Sequence, residues 1–309
     1  MRLARRREPA SRIYNMKIYD FGGDRALEQQ ARALEASADF KVLRRLPHLE
    51  EVWLTPIPTG GPAITLAVID TESTGFGDAD KMIELAVVKL SLTADGQLCN
   101  VQPVIGQFED PGCPLTAEIT AITGIDDAMV AGHSFDEKAL ASILAPVDAI
   151  VAFNAAFDAA FWRRRFPWLD KPWLCALRDM DWMAEGHVER SQAAMLVAKG
   201  HFYPAHRATV DAWALAMLMA MPARDGRTIA VHIVEAGRRT GSRIAAVHAP
   251  YFVRGELKER GYRWCPRRRV WRTDVASDQS GSEVIWLQEL DHRIRPTIEK
   301  IDWHSRHID

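Results

Sequence analysis

The strongest apolar pattern in the chain is the run Leu66-Ala-Val-Ile69, which leads directly into Asp70-Thr-Glu-Ser-Thr-Gly75. An uninterrupted apolar run of this length that ends in β-branched residues is typical of a strand buried on both faces. Asp70 and Glu72 are two residues apart, so on an extended backbone their side chains project from the same face. The pattern therefore predicts a central strand with two carboxylates at its end.

The residues that follow predict a mixed sheet flanked by helices. Residues 82–92 and 101–108 are predicted as strands, and the short polar turn between them favours antiparallel pairing. Further short strands are predicted at 149–153 and 173–177. Helices are predicted, from apolar spacing and composition, over residues 115–124, 135–144, 154–162, 192–199 and 208–219. A strand meander followed by alternating strands and helices indicates an α/β fold with both faces of the sheet covered.

The two ends of the chain follow different patterns. Residues 1–60 are predicted to be an extension that has a basic tip at Met1–Arg12 and one helix over 24–38. A segment rich in Pro and Gly then precedes the α/β domain, which is predicted to span residues 61–222.

A small basic α+β module is predicted over residues 223–309. Its predicted elements are a strand at 243–248, a helix at 251–260, a hairpin at 261–275 and a closing helix at 282–292. The change of pattern after residue 222 predicts that this module is separate from the α/β domain.

The composition is that of an ordinary folded soluble protein, with 309 residues of which 48% are hydrophobic and 26% charged. The net charge is −2, so attraction to nucleic acid has to come from local patches. No stretch approaches the ~20 apolar residues of a membrane span, and the Arg-rich start lacks the apolar core of a secretory signal. Four scattered cysteines favour free thiols in a reducing compartment. We expect a cytoplasmic protein with no membrane partner.

Three further polar residues lie where the predicted sheet would place a ligand. Asp158 follows the strand at 149–153, in the first turn of a helix that Asn154 is placed to cap. His206 and Asp211 lie about a turn and a half apart where the chain enters another helix. Each residue alone has an ordinary explanation, because an Asp in a first turn is favoured by the helix dipole and a lone His commonly caps a helix or faces water.

The combination of acidic residues indicates a cation site. Neighbouring carboxylates such as Asp70 and Glu72 repel each other and lose hydration unless a cation or a proton lies between them. Hard cations such as Mg²⁺ and Mn²⁺ prefer such oxygen ligands. A surface carboxylate pair is the alternative for Asp70 and Glu72 taken by themselves.

Taken together, these segments resemble the three motifs of the DEDDh 3′–5′ exonucleases. This family includes the proofreading epsilon subunit of the bacterial replicative DNA polymerase, with oligoribonuclease and RNase T as relatives. The corresponding segments are Asp70-Thr-Glu-Ser-Thr-Gly75, Asn154-Ala-Ala-Phe-Asp158 and His206-Arg-Ala-Thr-Val-Asp211. The resemblance covers residues 63–222 and implies an RNase H-like fold, two divalent ions (Mg²⁺ or Mn²⁺) and release of nucleoside 5′-monophosphates.

The resemblance also implies a role for each motif residue. Asp70, Glu72, Asp158 and Asp211 would hold the metal ions, and His206 would accept the proton of the attacking water. The implied substrate is nucleic acid with a free 3′ end, single-stranded or frayed, with DNA favoured in proofreading or repair beside a polymerase or repair partner. The alternatives are an RNA-trimming exonuclease and a non-catalytic nucleic-acid-binding protein on the same fold.

Thr74, Phe76 and Asn154 are the candidates for holding the terminal nucleotide. Phe76 could stack on a base, since aromatic faces bind single strands without reading sequence, or it could simply cap the core. Two residues depart from the family pattern. Ser73 stands where the family often has Thr, and Phe153 precedes Asn154 where proofreading subunits commonly carry His.

The predicted hairpin at 261–275 interleaves basic and aromatic residues. Basic residues bind phosphates and aromatic rings stack on bases, so one interpretation is a nucleic-acid tether. The other is a stable hairpin in which Trp264 pairs with Trp271 and the arginines face water. The candidates for nucleic-acid contact are Arg263, Arg267, Arg268 and Arg269.

Overall fold

The computed structural model describes residues 25–52 and 54–307. The basic tip predicted at Met1–Arg12 lies outside the described residues. The strands are β1 (Arg44–Arg45), β2 (Ile64–Ser73), β3 (Met82–Leu92), β4 (Leu98–Val101), β5 (Ile105–Phe108), β6 (Ala149–Ala152), β7 (Trp173–Cys175), β8 (His201–Phe202), β9 (Gly241–Val247), β10 (Arg263–Cys265), β11 (Val270–Ala276) and β12 (Arg295–Ile301). The helices are α1 (Arg25–Glu35), α2 (Ala117–Thr123), α3 (Asp127–Val130), α4 (Glu137–Leu144), α5 (Ala155–Arg165), α6 (Gln192–Ala198), α7 (Ala208–Ala220), α8 (Ile229–Arg238), α9 (Arg254–Glu259) and α10 (Ser280–Leu290).

The central sheet has the strand order β4-β3-β2-β6-β7, with β5 also paired to β3. Strand β2 pairs antiparallel with β3 and parallel with β6, and β6 pairs parallel with β7. The predicted mixed sheet flanked by helices is therefore confirmed. The single strand predicted at 101–108 is instead two short strands on the same neighbour, interrupted by Pro103, which has no N–H to donate.

Helices cover both faces of this sheet. Side chains of α4 and α5 form one core with the odd-numbered residues Ala67 and Ile69 of β2. Side chains of α7 and α8 form the other core with the even-numbered residues Leu66 and Val68. Helix α8 thus packs with the first domain, although the sequence analysis placed it in the C-terminal module. Apolar spacing predicts a buried face but does not say which core that face joins.

The C-terminal module is an antiparallel sheet in the order β10-β11-β9-β12, with α9 and α10 against one face. The predicted hairpin is present as β10 and β11, and Trp264 lies opposite Trp271 with ring centroids 5.7 Å apart. Strand β12 was not predicted. It is a largely exposed edge strand that contains Pro296, and its polar residues give no clear alternation.

Part of the N-terminal extension packs against the first domain. Helix α1 is shorter than the predicted 24–38, and its Glu28 and Glu35 bind Arg44. Strand β1 pairs with β8, and Leu46 joins the core of the first domain. None of the helices in the described residues is long and apolar enough to cross a membrane.

Candidate active site

Three carboxylates meet at the carboxyl end of β2. Asp70 and Glu72 project from the same face of this strand, and Asp211 lies in the first turn of α7, which packs along it. One carboxylate oxygen from each of these residues lies within 4.8 Å of the other two. All three side chains are half-buried. Packing of α7 on the sheet thus joins groups that are 141 residues apart in the chain, from Asp70 to Asp211.

Asp158 lies beside this group but not within it. It is buried in the first turn of α5, and its Oδ1 accepts a hydrogen bond of 2.9 Å from the Thr71 hydroxyl. The negative charge of Asp158 nonetheless makes the largest Coulombic contribution to raising the pKa of Asp70. The structure therefore places the fourth predicted acid at the edge of the three-carboxylate group.

The electrostatics of the group favour a bound cation. Burial first, and then the neighbouring carboxylates, raise the pKa of Asp70 well above its usual range. Burial, followed by the charges of Asp211 and Glu84, raises the pKa of Glu72 to about 8. Burial likewise raises the pKa of Asp158 to about 7 and that of Asp211 above its usual value. These carboxylates repel one another when they are ionised, and a bound divalent cation would offset that repulsion. Hard cations also prefer such oxygen ligands.

The carboxylate of Asp211 is held by several donors. Its Oδ1 accepts a hydrogen bond of 2.9 Å from the Tyr203 hydroxyl and a longer one of 3.4 Å from Gln192 Nε2. Its Oδ2 accepts bonds of 2.7 and 3.1 Å from the backbone N–H groups of His206 and Arg207. Neither Tyr203 nor Gln192 lies in a motif, so neither was predicted as a site residue. Together these bonds orient Asp211 toward Asp70 and Glu72.

His206 is exposed beside Asp211 and has a left-handed backbone, with φ at 73°. This conformation turns its backbone N–H toward the Asp211 carboxylate. The charge of His206 is also among the influences that lower the pKa of Asp211, which places the imidazole near the acid. A left-handed residue other than Gly is uncommon and costs free energy, so the surroundings must hold it there.

A second pair of residues at this edge, Glu84 and Arg207, was not predicted from the sequence. Glu84 lies opposite Glu72 on β3, with only 1% of its surface exposed. It accepts hydrogen bonds of 3.2 and 3.0 Å from the Arg207 guanidinium and one of 2.9 Å from the backbone N–H of Ala208. Glu84 interrupts the apolar residues 82–88 of β3, a signal that could have predicted a buried partner.

The candidate nucleotide contacts lie around the group. The Thr74 hydroxyl donates to Asp80 at 2.8 Å and accepts from the backbone N–H of Lys81, so it braces its own loop. A Cβ at Gly75 would lie 2.7 Å from Asp80 Oδ2, so a side chain there would displace the Asp80 carboxylate. Phe76 is 89% exposed, with its ring 5.8 Å from that of Phe157.

Asn154 is exposed at the start of α5, at the carboxyl end of β6. The prediction that its side chain caps this helix is wrong, since Asn154 makes no capping hydrogen bond. Its backbone is not in the extended conformation that usually directs a capping side chain toward the N–H groups of the first turn. The side-chain amide of Asn154 therefore does not cap the N-terminus of α5.

Comparison with known proteins finds similarity to an exonuclease family and to DNA polymerase III proteins. The family model RNase T, described as an exonuclease, matches residues 67–219. The chain is 33% identical over 113 residues to a DNA polymerase III of the PolC type from Caldanaerobacter subterraneus subsp. tengcongensis, covering 34% of this chain and 8% of that protein. It is 34% identical over 116 residues to a DNA polymerase III subunit epsilon-like protein from Rhodobacter capsulatus, covering 33% of this chain and 14% of that protein.

The chain belongs to the DEDDh-type 3′–5′ exonuclease family. The matched residues 67–219 contain all three motifs. The family resemblance and the RNase H-like fold class inferred from the sequence are therefore confirmed. Membership implies dependence on a divalent metal ion, which the clustered carboxylates fit. The chain spans only a small part of the length of these curated relatives.

Among solved structures, the chain is similar to E. coli Exonuclease I in complex with a dA16 oligonucleotide. The identity is 16% and the TM-score is 0.41, and the match covers 59% of this chain and 48% of that chain. A second similar structure is Exonuclease X in complex with 5′ overhanging duplex DNA, with 23% identity and a TM-score of 0.38, covering 49% of this chain and 86% of that chain.

The raised pKa values predict how stability depends on pH. For Glu72 the pKa in the folded protein is about 8, above the ordinary 4.5, so the folded state binds more protons than the unfolded chain between these values. The metal-free protein should therefore lose stability as the pH rises from about 5 to about 8. Thermal unfolding in EDTA measures this loss, and Mg²⁺ should raise the melting temperature more at the higher pH. Equal effects of Mg²⁺ at both pH values would contradict a cation site formed by these acids.

Proposed function

We propose that this protein is a metal-dependent 3′–5′ exonuclease that hydrolyses phosphodiester bonds at the 3′ end of nucleic acid and releases nucleoside 5′-monophosphates. The observation that carries the proposal is the group formed by Asp70, Glu72 and Asp211 at the carboxyl end of the central strand. These three residues lie within residues 67–219, which match the exonuclease family model, and this supports the proposed activity.

In this proposal the acids of the site hold two divalent ions, Mg²⁺ or Mn²⁺. Asp70, Glu72 and Asp211 supply the inner oxygens, and Asp158 contributes from the edge. Such ions, when bound, polarise the scissile phosphate and lower the pKa of water. The chain itself orients the ligands for these ions, because the Tyr203 hydroxyl and the backbone N–H of His206 hold the Asp211 carboxylate in place.

His206 accepts the proton from the attacking water in this proposal. Imidazole is the side chain that ordinarily titrates near neutral pH, and His206 is exposed next to Asp211, where an incoming water can reach it. Phe76 and Asn154, both exposed around the group, would contact the terminal nucleotide. Thr74 would act indirectly, by holding its loop in place, because its hydroxyl already donates a hydrogen bond to Asp80.

DNA is the proposed substrate, because the curated relatives are named as DNA polymerase III proteins. The test is digestion of 5′-labelled single-stranded DNA, duplex DNA and RNA of the same sequence, with Mg²⁺, Mn²⁺ or EDTA. We expect stepwise shortening from the 3′ end, nucleoside 5′-monophosphates as products and no reaction in EDTA. Faster digestion of RNA would replace the DNA assignment with RNA trimming. Binding without hydrolysis under every metal condition would refute the enzyme.

Replacing His206 with asparagine should reduce kcat by about 100-fold to 10,000-fold, the usual contribution of a positioned general base. Asparagine is the better substitution because it tolerates the left-handed backbone at this position, whereas His206→Ala would add strain. The rates of single turnover are measured against pH. Wild-type protein should show an ionisation on the acidic limb that the His206→Asn variant lacks.

The control for this variant is His292→Asn, at an exposed histidine in the C-terminal module. It removes the same chemical group at a distance from the carboxylates and should retain wild-type kcat. A His206→Asn variant with wild-type kcat and the same pH profile would show that another group takes the proton.

A further inference from the structure

A cleft lies between the first domain and the C-terminal module. Its volume is about 460 Å³. We call it the interdomain cleft and define it by its charged lining. That lining includes Arg178 and Asp179 from the first domain and Arg243, Arg263, Arg267 and Arg272 from the module.

The interdomain cleft is on the same edge of the central sheet as the carboxylates. Strands β2, β6 and β7 run parallel, so their carboxyl ends lie side by side. Asp70 and Glu72 are at the end of β2, Asn154 follows β6 and Arg178 follows β7. Because neighbouring strands are ~4.8 Å apart, Arg178 is displaced from the line of β2 by about 10 Å. A second cavity is lined by Asn154, Arg178 and Arg263 together, so open space next to the interdomain cleft extends to the start of α5.

The cleft concentrates positive charge from two domains. Arg263 and Arg272 lie directly opposite each other on β10 and β11, an arrangement in which like charges repel. Arg178 faces them across the cleft, and its pKa is lowered first by desolvation and then by the charge of Arg263. The closeness of Arg178 and Arg263 is unfavourable by itself and becomes favourable when an anion lies between their guanidinium groups.

The acids of the cleft are already engaged by other residues. Asp179 is buried against His307, with 2.9 Å between its Oδ2 and the imidazole Nε2. Asp274 binds Arg243 through contacts of 2.8 and 3.1 Å. In the part of the chain that the structure describes, no ion pair within 4.0 Å involves the side chains of Arg178, Arg263 or Arg267. These arginines are the ones left to bind a ligand.

We propose that the interdomain cleft binds the phosphodiester backbone of single-stranded nucleic acid just upstream of the 3′ end, so that the C-terminal module clamps the substrate. The inference rests on the proposed exonuclease function. Guanidinium groups match the geometry of phosphate oxygens. Trp264 also lines the cleft and is 48% exposed, which offers a base a surface to stack on. A basic groove with an aromatic surface is the usual way to hold a single strand.

This assignment divides the basic hairpin into two parts. Arg263 and Arg267 line the interdomain cleft. Arg268 and Arg269 line a different cavity, formed within the C-terminal module, and Arg268 lies 3.1 Å from Glu299. Of the hairpin arginines considered from the sequence, we therefore assign the clamp to Arg263 and Arg267, with Arg178 on the opposite wall.

The test compares two double variants that lose the same charge from the same hairpin. Arg263→Gln with Arg267→Gln alters the cleft, whereas Arg268→Gln with Arg269→Asn alters the other cavity. Asparagine is used at Arg269 because that residue has a left-handed backbone, with φ at 51°. Both are made in the Asp70→Asn background, so that a fluorescent single-stranded oligonucleotide stays intact while its anisotropy is measured against salt concentration.

Each phosphate contact to a single strand contributes about 0.7 to the slope of log affinity against log salt, so the cleft variant should lose about 1.4 from this slope. The comparison variant should keep the slope of its Asp70→Asn parent. An unchanged slope in the cleft variant, or an equal loss in both variants, would overturn the clamp. If inorganic phosphate protects the parent from thermal unfolding as well as the oligonucleotide does, the cleft is a small-anion site and the proposal is also overturned.

Kinetics with the native Asp70 separate this inference from the proposed function. A dinucleotide has one phosphodiester, which the carboxylates would hold, so no phosphodiester is left for the cleft. The cleft variant should therefore lose far more kcat/KM on a long single strand than on a dinucleotide. If wild-type protein cleaves neither substrate but binding still depends on Arg263 and Arg267, the clamp stands and the exonuclease fails. If wild-type protein cleaves both and the cleft variant loses equal activity on each, the clamp fails and the exonuclease stands.

Discussion

Replacing Asp70 with asparagine should reduce exonuclease activity by about a thousandfold or more while raising the stability of the metal-free protein. The loss of activity follows because a metal ligand contributes several kcal/mol of charge stabilisation in the transition state, and ~4 kcal/mol corresponds to about a thousandfold in rate. The gain in stability follows because Asp70 is desolvated among Asp158, Asp211 and Glu72, which all oppose its charge. Asparagine keeps the shape and removes that repulsion.

The measurements are single-turnover digestion of 5′-labelled DNA and thermal unfolding in EDTA near neutral pH. The matched control is Asp225→Asn, which makes the same chemical change at an exposed acid. Asp225 is bound by Arg227 at 2.9 Å, and this contact lowers the pKa of Asp225. The control should keep full activity and gain no stability. An Asp70→Asn protein that digests DNA at the wild-type rate would refute the site assignment.

Much of the fold could be predicted from local patterns along the chain. Strand β3 lies over the predicted residues 82–92, and helix α2 ends before Gly124, which has the left-handed φ of 69° typical of a helix end. The side-by-side placement of Asp70 and Glu72 follows from the twofold periodicity of a strand. These features need only residues that are near one another in the sequence.

Other features could not be predicted because they depend on distant partners. Glu84 and Arg207 are 123 residues apart, and neither has a neighbour in sequence that signals the pairing. Strand β12 forms because it pairs with β9, and its own sequence pattern does not predict it. Its Ile298, opposite Ile244, is 56% exposed, so it does not mark a buried face. The motif residues could be recognised from the family, whereas the donors that orient Asp211 become visible only when α6 and the segment before α7 pack together.

The Glu84–Arg207 pair should show an asymmetric effect on stability. Glu84 has 1% of its side chain exposed and Arg207 has 35%. Arg207→Ala therefore leaves a buried carboxylate beside Glu72 with only the N–H of Ala208 as a described donor, a change that typically costs about 3–5 kcal/mol. Glu84→Gln leaves an arginine that water can reach and keeps an oxygen for the Ala208 N–H, so it should cost only about 1 kcal/mol.

Urea unfolding of both single variants and of the double variant Arg207→Ala with Glu84→Gln measures the coupling in a mutant cycle. The double variant should be more stable than Arg207→Ala alone, because it no longer buries an unpaired charge. The Arg207→Ala backbone still donates its N–H to Asp211, so the carboxylate group should retain much of its metal affinity even where the free energy of unfolding falls. Costs that add without coupling would mean that Glu84 is stabilised by groups other than Arg207, and that the segment entering α7 is held to the sheet by its packing alone.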